Sequence, residues 1–173
     1  MFDTMTRWLE GVARAKDRWS LRKILFPLVD RYSSLPLTSA GLEISSTTTL
    51  AKTGSADFYA AVQGSLVKIA AGTNMPALTG INISAGYYNV VCFYVNAAGT
   101  VSVVAGQQAS TLGGVVFPQP PSGEALVGFL IITYASAFTG GTTVLSTATT
   151  VYVSPIGPFD ATVLTGAAPG TLA

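Results

Sequence analysis

A chain of 173 residues with no histidine, one cysteine and eight carboxylates lacks the side chain that most often moves protons near neutral pH and binds metals. Its lone Cys92 makes neither an internal disulfide nor a cysteine-based zinc site. These absences leave only carboxylate-only or lysine-based chemistry, so the expectation is a non-enzymatic chain with no catalytic residues, cofactor or metal.

The net charge of +1 conceals an asymmetry. Residues 1–32 hold seven basic and four acidic side chains, whereas the following 141 residues hold only two lysines and four acids. That is about 4% charged residues against about 25% in ordinary soluble domains. A free monomer keeps a charged surface for solubility; a body so poor in charge is expected to bury much of its surface against copies of itself or other proteins.

The N-terminal stretch predicts an amphipathic helix over residues 4–19. At 100° per residue, Trp8, Val12, Ala15 and Trp19 fall within about 60° of one another, with Asp3, Arg7, Glu10, Arg14, Asp17 and Arg18 opposite. Asp3–Arg7 and Glu10–Arg14 are i,i+4 pairs in the favourable orientation. Beyond Ser20 the apolar face rotates onto Leu21, Ile24 and Leu28, as a second short helix capped by Ser20 or as a bend, and Pro27 ends it. Trp8, Val12, Ala15 and Trp19, with Arg14, Arg18 and Arg22 around them, form the predicted partner-binding face. Packing on this chain's own body, an anionic membrane and nucleic acid are the other uses of such a face. Four acids among seven bases weaken phosphate binding, which wants uncompensated charge. Ser33-Ser34-Leu35-Pro36 reads as a linker.

From Leu37 the vocabulary changes to Val, Thr, Ile, Tyr, Gly and Ser in short runs between turn signals, the pattern of an all-β sandwich or barrel. Strands are predicted at 40–46, 48–53, 56–62, 65–70, 87–96, 100–105, 114–117, 125–134 and 149–153. Val62-Gln63-Gly64-Ser65 and Asn96-Ala97-Ala98-Gly99 read as hairpin turns, and 72–80 and 118–123 as loops. The runs 87–96 and 126–134 are apolar on both faces, whereas a strand with one wet face alternates. Both faces are therefore expected to be covered, one by a second sheet and the other by a neighbouring subunit. The organisation predicted is a basic helical arm (1–34), an all-β body (35–160) of antiparallel β-sandwich or jelly-roll-like type, and an extended tail (161–173).

The longest apolar stretch, residues 125–138, spans 14 residues and is interrupted by Gly128, Thr133 and Ser136. A membrane helix needs about 20, and the N-terminus, charged throughout, lacks the uninterrupted apolar h-region of a signal peptide, so a soluble protein without membrane or nucleic-acid partners is expected. The Gly-rich segments 113–114 and 140–142 lack the lysine and helix of a phosphate loop and read as hairpin or bulge glycines. Lys52, Asp57 and Lys68 are expected to meet as surface ion pairs, and Cys92 to be a buried, inert thiol. Tyr59, Tyr87, Tyr88, Tyr94, Tyr134 and Tyr152 fill cores and interfaces, or form a sugar-stacking platform.

The body resembles tailed-bacteriophage virion proteins that decorate or cement capsids, some described as head fibres. The resemblance covers residues 37–160 and is carried by LTSAGLEISS, DFYAAVQGSLVKIA, VVFPQPPSGEALVGFLIITYASAFTGGTTVLS and VYVSPIGPFD. It implies a homotrimer on the capsid exterior that bridges subunits of the major capsid protein or other virion proteins. The location it implies is the virion, with the host cytoplasm during assembly. Residues 1–32 fall outside the resemblance. A carbohydrate- or receptor-binding fibre or tail module is the alternative, and a peripheral membrane protein using the arm a third; exposure of Tyr87, Tyr88 and Tyr94 separates the sugar reading from the first.

Overall fold

The computed structural model describes residues 33–158. The predicted helix, its partner-binding residues Trp8, Val12, Arg14, Ala15, Arg18, Trp19 and Arg22, and the tail lie outside them. The described body is mainly β and every strand pairing in it is antiparallel.

One sheet is three-stranded, in the order β1 (Ser34–Pro36), β4 (Phe58–Val62), β5 (Ser65–Ile69). Strands β4 and β5 form a hairpin across Gln63 and Gly64, both with positive φ (50° and 79°). Positive φ at both central residues is what a tight hairpin turn compatible with strand twist requires. Along β4 the period of two is plain: Phe58, Ala60 and Val62 are buried while Tyr59 and Ala61 are half-buried.

The other principal sheet is four-stranded, ordered β11 (Thr149–Val153), β9 (Ala125–Thr133), β7 (Tyr88–Val95), β8 (Val101–Ala105). Two short ladders complete the body, β2 (Glu43–Ile44) with β3 (Ala51–Lys52), and β6 (Asn82–Ile83) with β10 (Phe138–Thr139). Strands β1 and β4 lie against β9. The main core forms between the layers, joining Phe58, Val62 and Val67 to Val91, Phe93, Val95, Leu130 and Ile132.

The central strand β7 is buried along almost its whole length. Its odd positions Val91, Phe93 and Val95 face the main core, and its even positions Val90, Cys92 and Tyr94 face a second cluster with Val115, Phe129 and Ile131. A register shift between Phe93 and Tyr94 marks a bulge opposite them in β9. A one-residue slip exchanges the faces of a strand. Accordingly Ala125 and Val127 point into the main core before the bulge, and Leu130 and Ile132 after it. Gly128 stands at this point because a Cβ there would come within 2.6 Å of both the Leu42 side chain and the Val153 carbonyl oxygen.

The structure corrects the sequence reading in four places. The second face of β7 is covered by the chain's own 106–123 segment, through Ala109, Leu112, Val115 and Phe117, and not by a neighbouring subunit. Residues 34–36 form a strand where a linker was expected; Pro36 is tolerated because β1 lies at a sheet edge. The segment 114–117 is not a strand: a 3-10 turn at Leu112–Gly114 is followed by a single bridge from Val116 to Gln107. The long strands expected at 40–46 and 48–53 shrink to the two-residue ladder β2–β3, and β6 and β10 were not foreseen.

Candidate interaction surface

The partner-binding face predicted on the arm lies outside the described residues, so the surface open to description is that of the β-body. Its charges are few and almost all engaged. Glu43 and Lys52 sit opposite each other on β2 and β3 with Nζ and Oε1 3.0 Å apart. Lys68 on β5 pairs with Asp57 at 2.6 Å and lies over the ring of its cross-strand neighbour Tyr59. Asp57 also accepts the Ala71 N–H at 3.0 Å. The hydrogen bond from Lys68, and then that from Ala71, hold the Asp57 carboxyl below its ordinary range, and Asp57 in turn raises Lys68. The remaining carboxylate among the described residues, Glu124, accepts a 2.7 Å hydrogen bond from Ser102 on β8. Of the three groups expected to meet, Asp57 and Lys68 do; Lys52 is drawn instead to Glu43, which short-range pattern did not single out.

Nucleophilic chemistry has little material here. Cys92 is fully buried and desolvation pushes its thiol up to about 12, so it carries essentially no thiolate near neutrality. Burial also raises the hydroxyl of Tyr94, which lies beside it. Among the described residues no three His, Cys, Asp or Glu side chains gather around a common point. Nor is any helix among them long and apolar enough to cross a membrane. The tyrosine platform does not assemble: Tyr94 is buried, Tyr88 half-buried, and only Tyr87 is exposed. Tyr87 and Tyr88, being adjacent along extended chain, point to opposite sides.

Two surface features went unread in the sequence. The first is the free edge of the four-stranded sheet. All five residues of β8, Val-Ser-Val-Val-Ala, are half-buried, and none is a charge or a proline, the usual blunting devices of an edge strand. Gly106 donates to the Val90 carbonyl at 2.7 Å and Asn96 donates to the Thr100 carbonyl at 3.1 Å. In an antiparallel ladder bonded pairs alternate with non-bonded ones. The backbone groups of Val101, Val103 and Ala105 therefore face outward, where no other described strand meets them. The second feature is the place where the last described residues meet the end of β1. Gly157 donates to the Pro36 carbonyl at 2.9 Å, and Ser154 is bonded to both Ser39 and Leu42. Exposed Leu37 and Ile156 stand beside this junction.

Comparison of the chain with protein-family models, curated proteins and solved structures finds no match in any of the three.

Proposed function

We propose that this chain is a non-enzymatic structural virion protein that assembles as a homotrimer and decorates or cements a phage capsid by bridging its subunits. The observation that carries the assembly is the surface of the body. Four of the five charges among its described residues are spent on one another in two ion pairs, and an apolar strand edge stands unprotected. Such a surface suits large apolar contacts between copies. The phage setting comes from the resemblance carried by residues 37–160, and the two-layer body is read within it as an antiparallel sandwich of jelly-roll-like type.

The strand order accommodates the ring that the resemblance implies. All neighbours in the sheet β11-β9-β7-β8 are antiparallel, so the outer strands β8 and β11 also run opposite ways. Continuing the alternation, β8 of one copy meets β11 of the next. That contact is head-to-tail and closes into a ring when the rotation allows. The arm, leaving each copy at Ser33 beside the Gln63–Gly64 turn, would be repeated around the axis, so that Trp8, Val12, Ala15 and Trp19 engage several capsid subunits at once. The proposed location is the virion, with the host cytoplasm during assembly.

Light scattering on size exclusion tests the assembly: a particle of about three times the 17.8 kDa chain is expected. Val103→Pro removes an outward N–H while keeping the inward β7–β8 bonds and is expected to yield monomers. A monomeric wild type, or a Val103→Pro trimer, would overturn the edge-pairing scheme. Addition of the protein to capsids lacking it tests the decoration role, which fails if the two do not co-sediment.

A further inference from the structure

Where β8 departs from β7, an open cleft of about 420 Å³ is lined by Ile81, Asn82, Asn89, Gly106, Gln107 and Gln108, among others. Four side-chain amides line it, and among the described residues no charged group does. Asn89 is the informative member. It lies on the inward side of β7, in phase with Val91, Phe93 and Val95, and is only 4% exposed. An apolar side chain would serve the core better, because a buried amide lacking partners costs about 1–3 kcal/mol.

Among the described residues Asn89 is only half satisfied. Its Oδ1 accepts the N–H of Val90 at 2.8 Å, and its Nδ2 donates to no other described residue. No buried side-chain nitrogen or oxygen is left without a partner among the described residues, and Asn89 lines the cleft. Gln108 repeats the arrangement at the rim: its Oε1 accepts the Ser84 N–H at 2.7 Å, leaving its amide nitrogen available. The amides of Asn82 and Gln107 are exposed and bond to no other described side chain or backbone group. Two amides are thus fixed by their oxygens and offer donors, and two offer both a donor and an acceptor.

We infer that this cleft binds a neutral saccharide, with Asn89 and Gln108 donating to ring hydroxyls and Asn82 and Gln107 bridging neighbouring ones. Vicinal hydroxyls each donate and accept, which matches amides that present both functions. Among the described residues no cation lines the cleft, so they supply none of the counter-charge that a phosphate or carboxylate ligand would require. Ile81 and Ala105 supply a small apolar patch for the C–H face of a sugar ring. A peptide would instead call for apolar side-chain pockets, which this polar lining lacks. The site is distinct from the tyrosine platform and independent of the assembly proposed above, although repetition in a trimer would add avidity towards a polymeric glycan.

The test is an NMR titration of the 15N-labelled full chain with four probes: methyl glucoside, methyl galactoside, N-acetylglucosamine and maltose. N-acetylglycine N-methylamide serves as the peptide counterpart. Saturable shifts of the side-chain amide signals of Asn82, Asn89 and Gln107 with at least one sugar are expected. Asn89→Leu and Gln107→Ala should each weaken that affinity tenfold or more. If Asn89→Leu fails to fold, exposed Gln107 decides the matter alone. No shift with any sugar, shifts with the peptide amide only, or undiminished binding by both folded variants would overturn the inference. Because shifts are read per chain, a monomeric protein that binds sugar would refute the trimer and leave this site standing.

Discussion

Phe129 tests whether the outer face of the four-stranded sheet belongs to the chain itself. Its ring is fully buried in the second cluster and meets Phe117 edge-on, with centroids 5.0 Å apart and planes at 85°. Phe129→Ala removes a buried aromatic and leaves a void that the sheet backbone cannot close, at a cost of about 3–5 kcal/mol. Phe117 is half-buried, so Phe117→Ala should cost less, about 1–3 kcal/mol. The double-mutant cycle should return a coupling of about 0.5–1.5 kcal/mol for the edge-on pair. At about 2–4 °C per kcal/mol for a chain of this size, Phe129→Ala should lower Tm by roughly 6–20 °C. The assay is thermal unfolding over a wide range of protein concentration. The strain is intramolecular, so the difference between wild type and variant should be the same at every concentration. If instead Phe129→Ala dissociates the protein while leaving its unfolding at low concentration unchanged, the face is a subunit interface and the reasoning is refuted.

Val91→Lys places an ammonium group at a fully buried position between the layers and is expected to prevent folding; a soluble variant with wild-type circular dichroism would disprove the strand's inward facing. Asp57 has its pKa lowered from 3.8 by Lys68 and Ala71, so its contribution is present above the unfolded value and lost as pH falls through the folded one. Asp57→Asn should therefore flatten the acid side of the stability profile below about pH 4 and leave its shape between pH 5 and 8 unchanged, as urea titrations would show. Cys92 should resist iodoacetamide at pH 8 in the native protein and react once unfolded; rapid native labelling would contradict its burial. Replacing Trp8 and Trp19 with Ala should leave the body's circular dichroism intact but weaken assembly or attachment to capsids lacking the protein. Unaltered attachment would remove the arm from the proposal.

Long elements with strong local chemistry were legible in the sequence. The apolar runs behind β7 and β9 exceed what a one-sided strand contains, and Gln63-Gly64 supplies the backbone freedom a tight hairpin turn demands. The two-residue ladders β2–β3 and β6–β10 were not legible as such, because two residues show no period and their partners lie seven to nine and more than fifty positions apart. Strand β1 was hidden for another reason: Ser-Ser-Leu-Pro has the composition of a linker, and only the edge of a sheet accepts its proline. Asn89 carried a local signal, a lone amide at an inward position of an apolar strand, but its meaning depends on where β8 leaves the sheet.

Composition and local pattern therefore determined that this chain lacks histidine, carries most of its charge in residues 1–32 and builds a charge-poor β-body. Those are sums and local periods, which need no knowledge of what lies next to what. Tertiary structure decided that segment 106–123 covers the outer face of β7, that Lys52 pairs with Glu43 and not Asp57, that β8 is left as an open edge, and that four amides meet around one cleft. Each of these depends on contacts between residues distant in the chain, whose proximity is set by packing of the whole core and leaves no mark on any short stretch of sequence.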